Sequence, residues 1–262
     1  MRTIGIHGAA GRMGQRLVAL AVADPELRLT AALEHRGHDM LGRDAGTVAG
    51  TEPLAVPLSE RWESAPQVMV DFSTAEALPN VISLCQSEGV ALVIGTTGYG
   101  EAGEQAIEAA ARKIPVLQAT NMSLGVNLLF ILAGQIAQTL GDDYDIEIVE
   151  AHHRFKRDAP SGTAMSLAES ICQATGKQIK QDLVHGREGD QPRQTGEIGM
   201  HALRLGDVVG RHSVSYATLG EQVQISHEAS TRDVFARGAL RAAKWLAERP
   251  AGRYHMKDVL GL

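Results

Sequence analysis

Apolar positions along this chain fall into short runs separated by stretches of helical spacing, and that alternation predicts an α/β fold. Residues 3–7 form a short apolar strand, after which Met13, Leu17, Leu20 and Ala21 recur on one helix face until Asp24-Pro25 stops the helix. Leu29–Leu33 is a second apolar strand. Val68–Phe72 and Val90–Ile94 are apolar almost throughout, as parallel strands covered on both faces are. A helix from about Ala75 to Glu88 separates them, with Pro79 tolerable only in its first turn. A further helix through Ala111 and a strand at Pro115–Ala119 complete the series, while residues 37–66 are rich in glycine and proline and read as loop.

From about residue 122 the character changes. Leu124–Leu140 predicts a long apolar helix ended by Gly141-Asp142-Asp143, and Tyr144–Glu150 alternates with period two, as a half-buried strand does. Ser161 stands where the N-cap of a helix running to about Thr175 belongs. Glu197–Leu205, Val208–Thr218 and Glu221–Ser230 alternate again, with Gly206-Asp207 and Gly220 between them, and predict an antiparallel meander. The last helix, Val234–Glu248, is amphipathic. The expected organisation is a Rossmann-like dinucleotide-binding domain over residues 1–122, rejoined by 233–262, and an α+β domain with a mixed sheet over 123–232.

Composition narrows the function without fixing it. The 262 residues are 44% hydrophobic and 21% charged, ordinary globular usage, so neither disorder nor a fibrous repeat is indicated. The net charge of −6 argues against a general nucleic-acid binder but leaves room for a local basic pocket. Cys85 and Cys172 each lie in an apolar helical pattern, so no disulfide framework is expected. The N-terminus reads straight into a strand, and no apolar run approaches the roughly 18 residues of a spanning helix. The cytoplasm is the expected location, with no membrane partner.

Two stretches carry chemistry. Gly8-Ala9-Ala10-Gly11-Arg12-Met13-Gly14 links the first strand to the first helix, where glycines permit a tight turn and close backbone approach to a pyrophosphate at the helix N-terminus. Glu34 ends the second strand, where a carboxylate accepts the adenosine ribose hydroxyls. His35 and Arg36 follow it; either can meet a 2′-phosphate or stay solvated. Gly95-Thr96-Thr97 and Ala119-Thr120-Asn121-Met122 lie at later strand ends, the edge where open α/β sheets bind ligands, and are candidates to hold the nicotinamide half of a dinucleotide. Thr and Asn also cap helices, and the two roles are compatible.

The second stretch runs from Glu150 to Ala164 and packs His152, His153, Lys156 and Ser161-Gly162-Thr163 between a strand and a helix. Adjacent histidines on an extended backbone face opposite sides, no third ligand stands at a recognisable spacing, and no metal is expected. Hydroxyls of Ser161 and Thr163, with N–H groups of Gly162 and Thr163 at a helix start, suit a carboxylate. Lys156 adds positive charge, and a histidine beside it exchanges a proton near neutral pH. Joined to a dinucleotide domain, these parts point to hydride transfer involving a small carboxylate-bearing molecule. Two other classes fit the same residues: a dinucleotide sensor without turnover, and a Schiff-base lyase with Lys156 as nucleophile.

The run Glu150-Ala151-His152-His153, then Lys156, then Asp158-Ala159-Pro160-Ser161-Gly162-Thr163-Ala164 resembles the signature of 4-hydroxy-tetrahydrodipicolinate reductases, lysine-pathway enzymes also called dihydrodipicolinate reductases. Gly8–Gly14, Val93–Gly98, Asn121–Asn127 and Phe235–Leu246 are also similar, so the resemblance spans essentially the whole chain. It implies a two-domain, usually tetrameric reductase that takes NADH or NADPH and a cyclic dicarboxylate, in diaminopimelate and lysine biosynthesis. It further implies that His152 and Lys156 handle protons and that His153, Gly162 and Thr163 hold substrate carboxylates. Gly8 to Met13, Glu34, Gly95 to Thr97 and Ala119 to Met122 would bind the cofactor. Members that accept NADPH often carry arginine directly after the acid, where this chain has His35.

Overall fold

The computed structural model describes residues Met1–Leu262, which divide into two units: Met1–Leu124 with Asp233–Leu262, and Gly125–Arg232. In chain order the first unit opens with β1 (Arg2–His7), α1 (Arg12–Val22), β2 (Leu27–Leu33), α2 (Ala45–Val48), β3 (Leu58–Ser59), β4 (Val68–Asp71), α3 (Leu78–Glu88), β5 (Ala91–Ile94), α4 (Gly100–Ala111) and β6 (Pro115–Gln118). There follow α5 (Leu124–Leu140), a 3-10 turn (Gly141–Asp143), β7 (Asp145–His152), α6 (Gly162–Thr175), α7 (Ile179–Asp182), β8 (Leu183–His185), β9 (Ile198–Arg204), β10 (Gly210–Thr218) and β11 (Glu221–Ala229). The chain ends with α8 (Asp233–Leu246), β12 (Gly252–Tyr254) and α9 (Met256–Leu260).

The first unit is a parallel seven-stranded sheet in the order β12-β6-β5-β4-β1-β2-β3. The strand order reverses at β1 and β4, where doubly wound folds bind dinucleotides beyond the strand ends. Every residue of β4 and β5 is buried, because helices cover both faces and leave no solvent side for polar residues. On one face Ile4, Ile6, Val68, Val70 and Val93 meet Leu17 and Val18 of α1 and Ala239, Ala243 and Leu246 of α8. On the other, Met69, Leu92 and Ile94 meet Leu78, Ile82 and Cys85 of α3 and Ile107 of α4. Helix α3 begins three residues later than the apolar spacing suggests, and Pro79 lies in its first turn, where its missing N–H costs no helical bond. The stretch read as loop contains α2 and β3, organised by Asp44, whose carboxylate accepts from the N–H groups of Thr47, Leu54 and Val56.

The second unit is a five-stranded mixed sheet in the order β11-β10-β7-β9-β8. The expected meander holds for β10 and β11, which pair antiparallel across the Leu219-Gly220 turn, but fails for β9. Strand β9 pairs parallel with β7, and β7 separates it from β10. Hydrophobic period reports which face a strand buries and carries no information about its neighbour. Connecting β9 to β10 therefore takes residues 205–209 over the carboxyl end of β7, where the Leu205 N–H donates to the His152 carbonyl at 2.9 Å and the Arg154 N–H to the Gly206 carbonyl at 3.1 Å.

Ile146, Ile148, Ile198, Met200, Val214 and Tyr216 form the buried face of this sheet and pack against Leu129, Ala133 and Ala137 of α5 and Leu167, Ala168 and Ile171 of α6. Tyr216 is fully buried, and its hydroxyl donates to the Ala133 carbonyl at 2.7 Å. One helix, Leu124–Asp143 with its 3-10 turn, is by length and composition long and apolar enough to cross a membrane, at 20 residues and mean hydropathy 1.5. The sequence expectation concerned an unbroken apolar run, and this helix holds none of that length. Isolated polar residues such as Asn127, Gln135 and Gln138 interrupt the apolar run yet leave its average high.

His212, in β10, is 3% exposed and its pKa is pushed down to about 4, first by burial and then by the neighbouring His152. An unfolded histidine titrates near 6.5. Between those values the unfolded chain binds a proton that the folded chain refuses, so stability rises with pH across this window and levels off above it, by roughly 3 kcal/mol for a shift of this size. Urea titrations at pH 4.5 and 7 should show the wild type markedly weaker at the lower pH and His212→Gln with a clearly smaller difference; equal differences in the two proteins would remove His212 as the cause.

Candidate active site

Strand β7 delivers two ionisable side chains to the same face, because Glu150 and His152 are two residues apart on an extended backbone. Glu150 is fully buried and His152 is 9% exposed. The His152 Nδ1 lies 2.5 Å from Glu150 Oε2. Parallel pairing sets His152 opposite Arg204 of β9, and the Arg204 guanidinium forks onto both oxygens of Glu150, at 2.9 Å from Nη1 to Oε2 and 2.8 Å from Nη2 to Oε1. The Ser161 N–H donates to Oε1 at 3.0 Å. Burial pushes the Glu150 carboxyl up, but hydrogen bonds from Arg204, His152 and Ser161 outweigh it and hold the group below its ordinary value, ionised at neutral pH. Burial moves the His152 imidazole down, with Lys156 and Arg204 pushing the same way and Glu150 opposing them; the net direction is downward.

The connection from β7 to α6 brings the remaining candidates to this strand end. Lys156 turns back on His153, its N–H donating to the His153 carbonyl at 3.1 Å, and its ammonium lies 2.9 Å from Asp158. His153 is half-buried. Ser161 caps α6, its Oγ accepting from the Ala164 N–H at 3.1 Å and lying 3.1 Å from His212 Nε2. At 2% exposure that hydroxyl is committed within the protein, which removes it from the set of side chains facing a ligand. Gly162 and Thr163 open the helix, and the space beside the Gly162 Cα is empty. The rings of His152 and His212 meet edge to face with centroids 5.1 Å apart.

In the first unit, Gly8 takes φ +79°, and a Cβ there would stand 2.6 Å from the Phe72 carbonyl oxygen. A Cβ on Gly14 would stand 2.0 Å from the Gly8 carbonyl oxygen, so only glycine lets α1 sit this close to the end of β1. Gly11 supplies no side-chain cap to α1. Glu34 Oε1 accepts from the Ala10 N–H at 2.8 Å, tying the end of β2 to the glycine loop. Beside them is a cavity of about 500 Å³ whose walls include His7, Gly8, Ala10, Gly11, Glu34 and His35. Arg12, Met13, Gly95, Thr96 and Thr97 line a second, smaller one. Ala9 and Met122 are in the core, Ala119 is 9% exposed, Thr120 is exposed and Asn121 is half-buried, its side chain accepting from the Ser123 N–H.

Glu34, His35 and His38 each present a metal-ligand atom within 4.8 Å of the others, a grouping that sequence spacing around His152 does not reveal. His38 Nδ1 accepts from the Met40 N–H at 3.1 Å, so the neutral ring carries its proton on Nε2, a donor where a metal requires a lone pair. These residues suit the polar half of an organic ligand better than a cation. His7 Nδ1, at 2.6 Å from the fully buried Asp71, and Ser73 Oγ, also 2.6 Å from it, line the same region. The residues missed in the sequence are Glu150 as a buried anion, Arg204 and His212; the last two are brought in by β9 and β10.

The family model described as "Dihydrodipicolinate reductase, N-terminus" matches residues 2–122, and "Dihydrodipicolinate reductase, C-terminus" matches 125–260. The 4-hydroxy-tetrahydrodipicolinate reductase of Alkalilimnicola ehrlichii is 48% identical over 99% of this chain and 98% of its own length, and that of Hahella chejuensis is 44% identical over the full length of both. Among solved structures, a dipicolinate-bound dihydrodipicolinate reductase from Paenisporosarcina sp. TG-14 superposes with a TM-score of 0.75 over 97% of both chains at 24% identity, a likeness of fold. With both family models matched end to end and relatives of nearly half identity along its whole length, the chain belongs to the dihydrodipicolinate reductase family.

Proposed function

We propose that the chain reduces 4-hydroxy-tetrahydrodipicolinate to tetrahydrodipicolinate with the division of labour given below. One hydride and one proton enter the ring system and the hydroxyl leaves as water. The observation that carries the reading is the grouping of a charge-held histidine, a lysine and a helix N-terminus at the carboxyl end of β7. The Lys156 ammonium and the His152 imidazole supply and accept the proton. His153, with the backbone of Gly162 and Thr163 at the start of α6, takes the carboxylates, where the helix dipole adds to the attraction. Ser161 acts one step behind, holding that helix start in place through its cap.

The nicotinamide dinucleotide supplies the hydride. Gly8, Ala9, Ala10, Gly11, Arg12 and Met13 suit its pyrophosphate, because the turn is uncapped and close-packed. Glu34 suits the adenosine ribose, and Gly95, Thr96, Thr97, Ala119, Thr120, Asn121 and Met122 suit the nicotinamide half. Both dinucleotides are taken: Glu34 favours free ribose hydroxyls, while Arg36 brings positive charge, and His35 a polar ring, for a 2′-phosphate on the wall that they share with it. No metal takes part. The enzyme works in the cytoplasm, in the diaminopimelate and lysine pathway, as a homotetramer. Association through the second unit is supported by its exposed Leu203, Leu205, Leu219 and Val223.

An assay coupled to dihydrodipicolinate synthase, run with NADH and NADPH separately, tests reaction and preference together. His152→Ala and Lys156→Ala should each lower kcat by about 10²-fold or more, as loss of a proton-transfer group does, with dinucleotide affinity near wild type; weak dinucleotide binding with normal kcat would sink the assignment. Glu34→Ala should raise the KM for NADH with little change in kcat, since ribose binding is the same in ground and transition states. An unchanged NADH affinity by fluorescence titration would remove Glu34 as the ribose acid.

A further inference from the structure

Glu150 has no lone pair left for chemistry of its own. Its Oε2 accepts from His152 Nδ1 and Arg204 Nη1, and its Oε1 from Arg204 Nη2 and the Ser161 N–H, which together fill the four acceptor positions of a carboxylate. It is fully buried, so neither water nor a ligand reaches it. Because Glu150 is ionised, the nitrogen facing it must carry hydrogen, and the neutral His152 ring is the Nδ1–H tautomer. The lone pair, and any proton exchanged with a ligand, then resides on Nε2.

The surroundings of Nε2 agree with that assignment. Gly210, at the start of β10, lies against it: a Cβ on Gly210 would stand 3.2 Å from His152 Nε2. The absence of a side chain there leaves that nitrogen uncovered. Arg204 reaches further, with Nη2 donating to the Asp158 carbonyl at 2.6 Å, so the same guanidinium secures the loop that carries Lys156 and leads into α6. The charged or titratable groups that bear on His152 are Glu150 from its own strand, Lys156 from the following loop, Arg204 from β9 and His212 from β10.

We propose that Glu150, clamped by Arg204, is a positioning residue for the reaction: it fixes the tautomer and orientation of His152 so that Nε2 is the nitrogen that exchanges the proton with the substrate. This rests on the proton-transfer role assigned to His152 above. The logic is that of a buried carboxylate behind a catalytic imidazole, in which the acid is never itself protonated and works by selecting which nitrogen is exposed. An uncharged amide at the same position would break the selection. Its carbonyl oxygen and its NH₂ would have to divide between Arg204 and His152, and the NH₂ would face a donor on one side or invert the imidazole on the other.

The direct test is long-range ¹⁵N–¹H correlation NMR of the histidine-labelled, otherwise unmodified enzyme, with the His152 signals assigned by their loss in His152→Asn. Above the pKa of His152 the ring should show the Nδ1–H pattern; an Nε2–H ring would overturn the proposal without reference to any variant. Glu150→Gln should then mix the tautomers and lower kcat by about 10²-fold, with substrate KM and NADH affinity within about twofold of wild type. It should also displace the His152-dependent limb of the kcat profile to lower pH, because the carboxylate that favours the imidazolium is gone. Gly210→Ala should lower kcat as well, by crowding Nε2. If His152→Ala is crippled while Glu150→Gln keeps wild-type kcat and pH profile, the positioning role falls and the proton-transfer role stands. If His152→Ala keeps wild-type kcat, the proton-transfer role itself falls, whatever the NMR shows.

Discussion

A carboxylate with no solvent exposure is the constraint on which the second unit depends. Leaving Glu150 in the interior without its partners would cost on the order of 3–5 kcal/mol, the penalty for breaking a buried ion pair. The fold meets that cost with donors from three places: His152 two residues along β7, Arg204 at the end of β9, and the backbone of Ser161 before α6. Those are the segments that form the candidate substrate site. The same set of hydrogen bonds therefore stabilises the unit and aims its histidine.

Both units place chemistry where strands end and helices begin, but they prepare their helix starts differently. In the first unit Gly11 leaves α1 without a side-chain cap, and the turn is held by close packing of Gly8 and Gly14 against backbone. That arrangement keeps N–H groups free of a side-chain cap, in keeping with the proposal that a doubly charged pyrophosphate binds there. In the second unit Ser161 caps α6 and is itself fixed to His212. A capped start leaves fewer groups on offer but holds them more rigidly, which is in keeping with the proposal that a small dicarboxylate is presented there in one orientation.

Much of the architecture is legible in the order of residues because each element announces itself locally. The fully apolar β4 and β5, the glycine turn after β1 and the Ser161 cap are all encoded within a few neighbouring positions. Pairing partners are not. Strand β9 alternates as a meander strand would, and only the sheet itself reveals that β7 lies between it and β10. The site divides along the same line. His152, Lys156 and Gly162 stand close together in one short connection and are recognisable by type and spacing, whereas Arg204 is 54 residues from Glu150 and His212 is 51 from Ser161. Glu150 is in phase with Ile146 and Ile148, so the alternation itself turns it inward; what the strand does not show is the set of partners that lets a carboxylate stay there.

The register of β7 on β9 has a further consequence. His152 lies opposite Arg204 and Glu150 opposite Ala202, so the guanidinium reaches the carboxylate only in this one alignment. Sliding β9 by one residue would turn Arg204 to the opposite face of the sheet and leave the buried carboxylate with only His152 and the Ser161 N–H, without its full countercharge. Parallel strands joined by a long crossover have no tight turn to set their alignment, and here the charge pair does that work. The surroundings of His152 thus depend on the one alignment in which this charge pair closes.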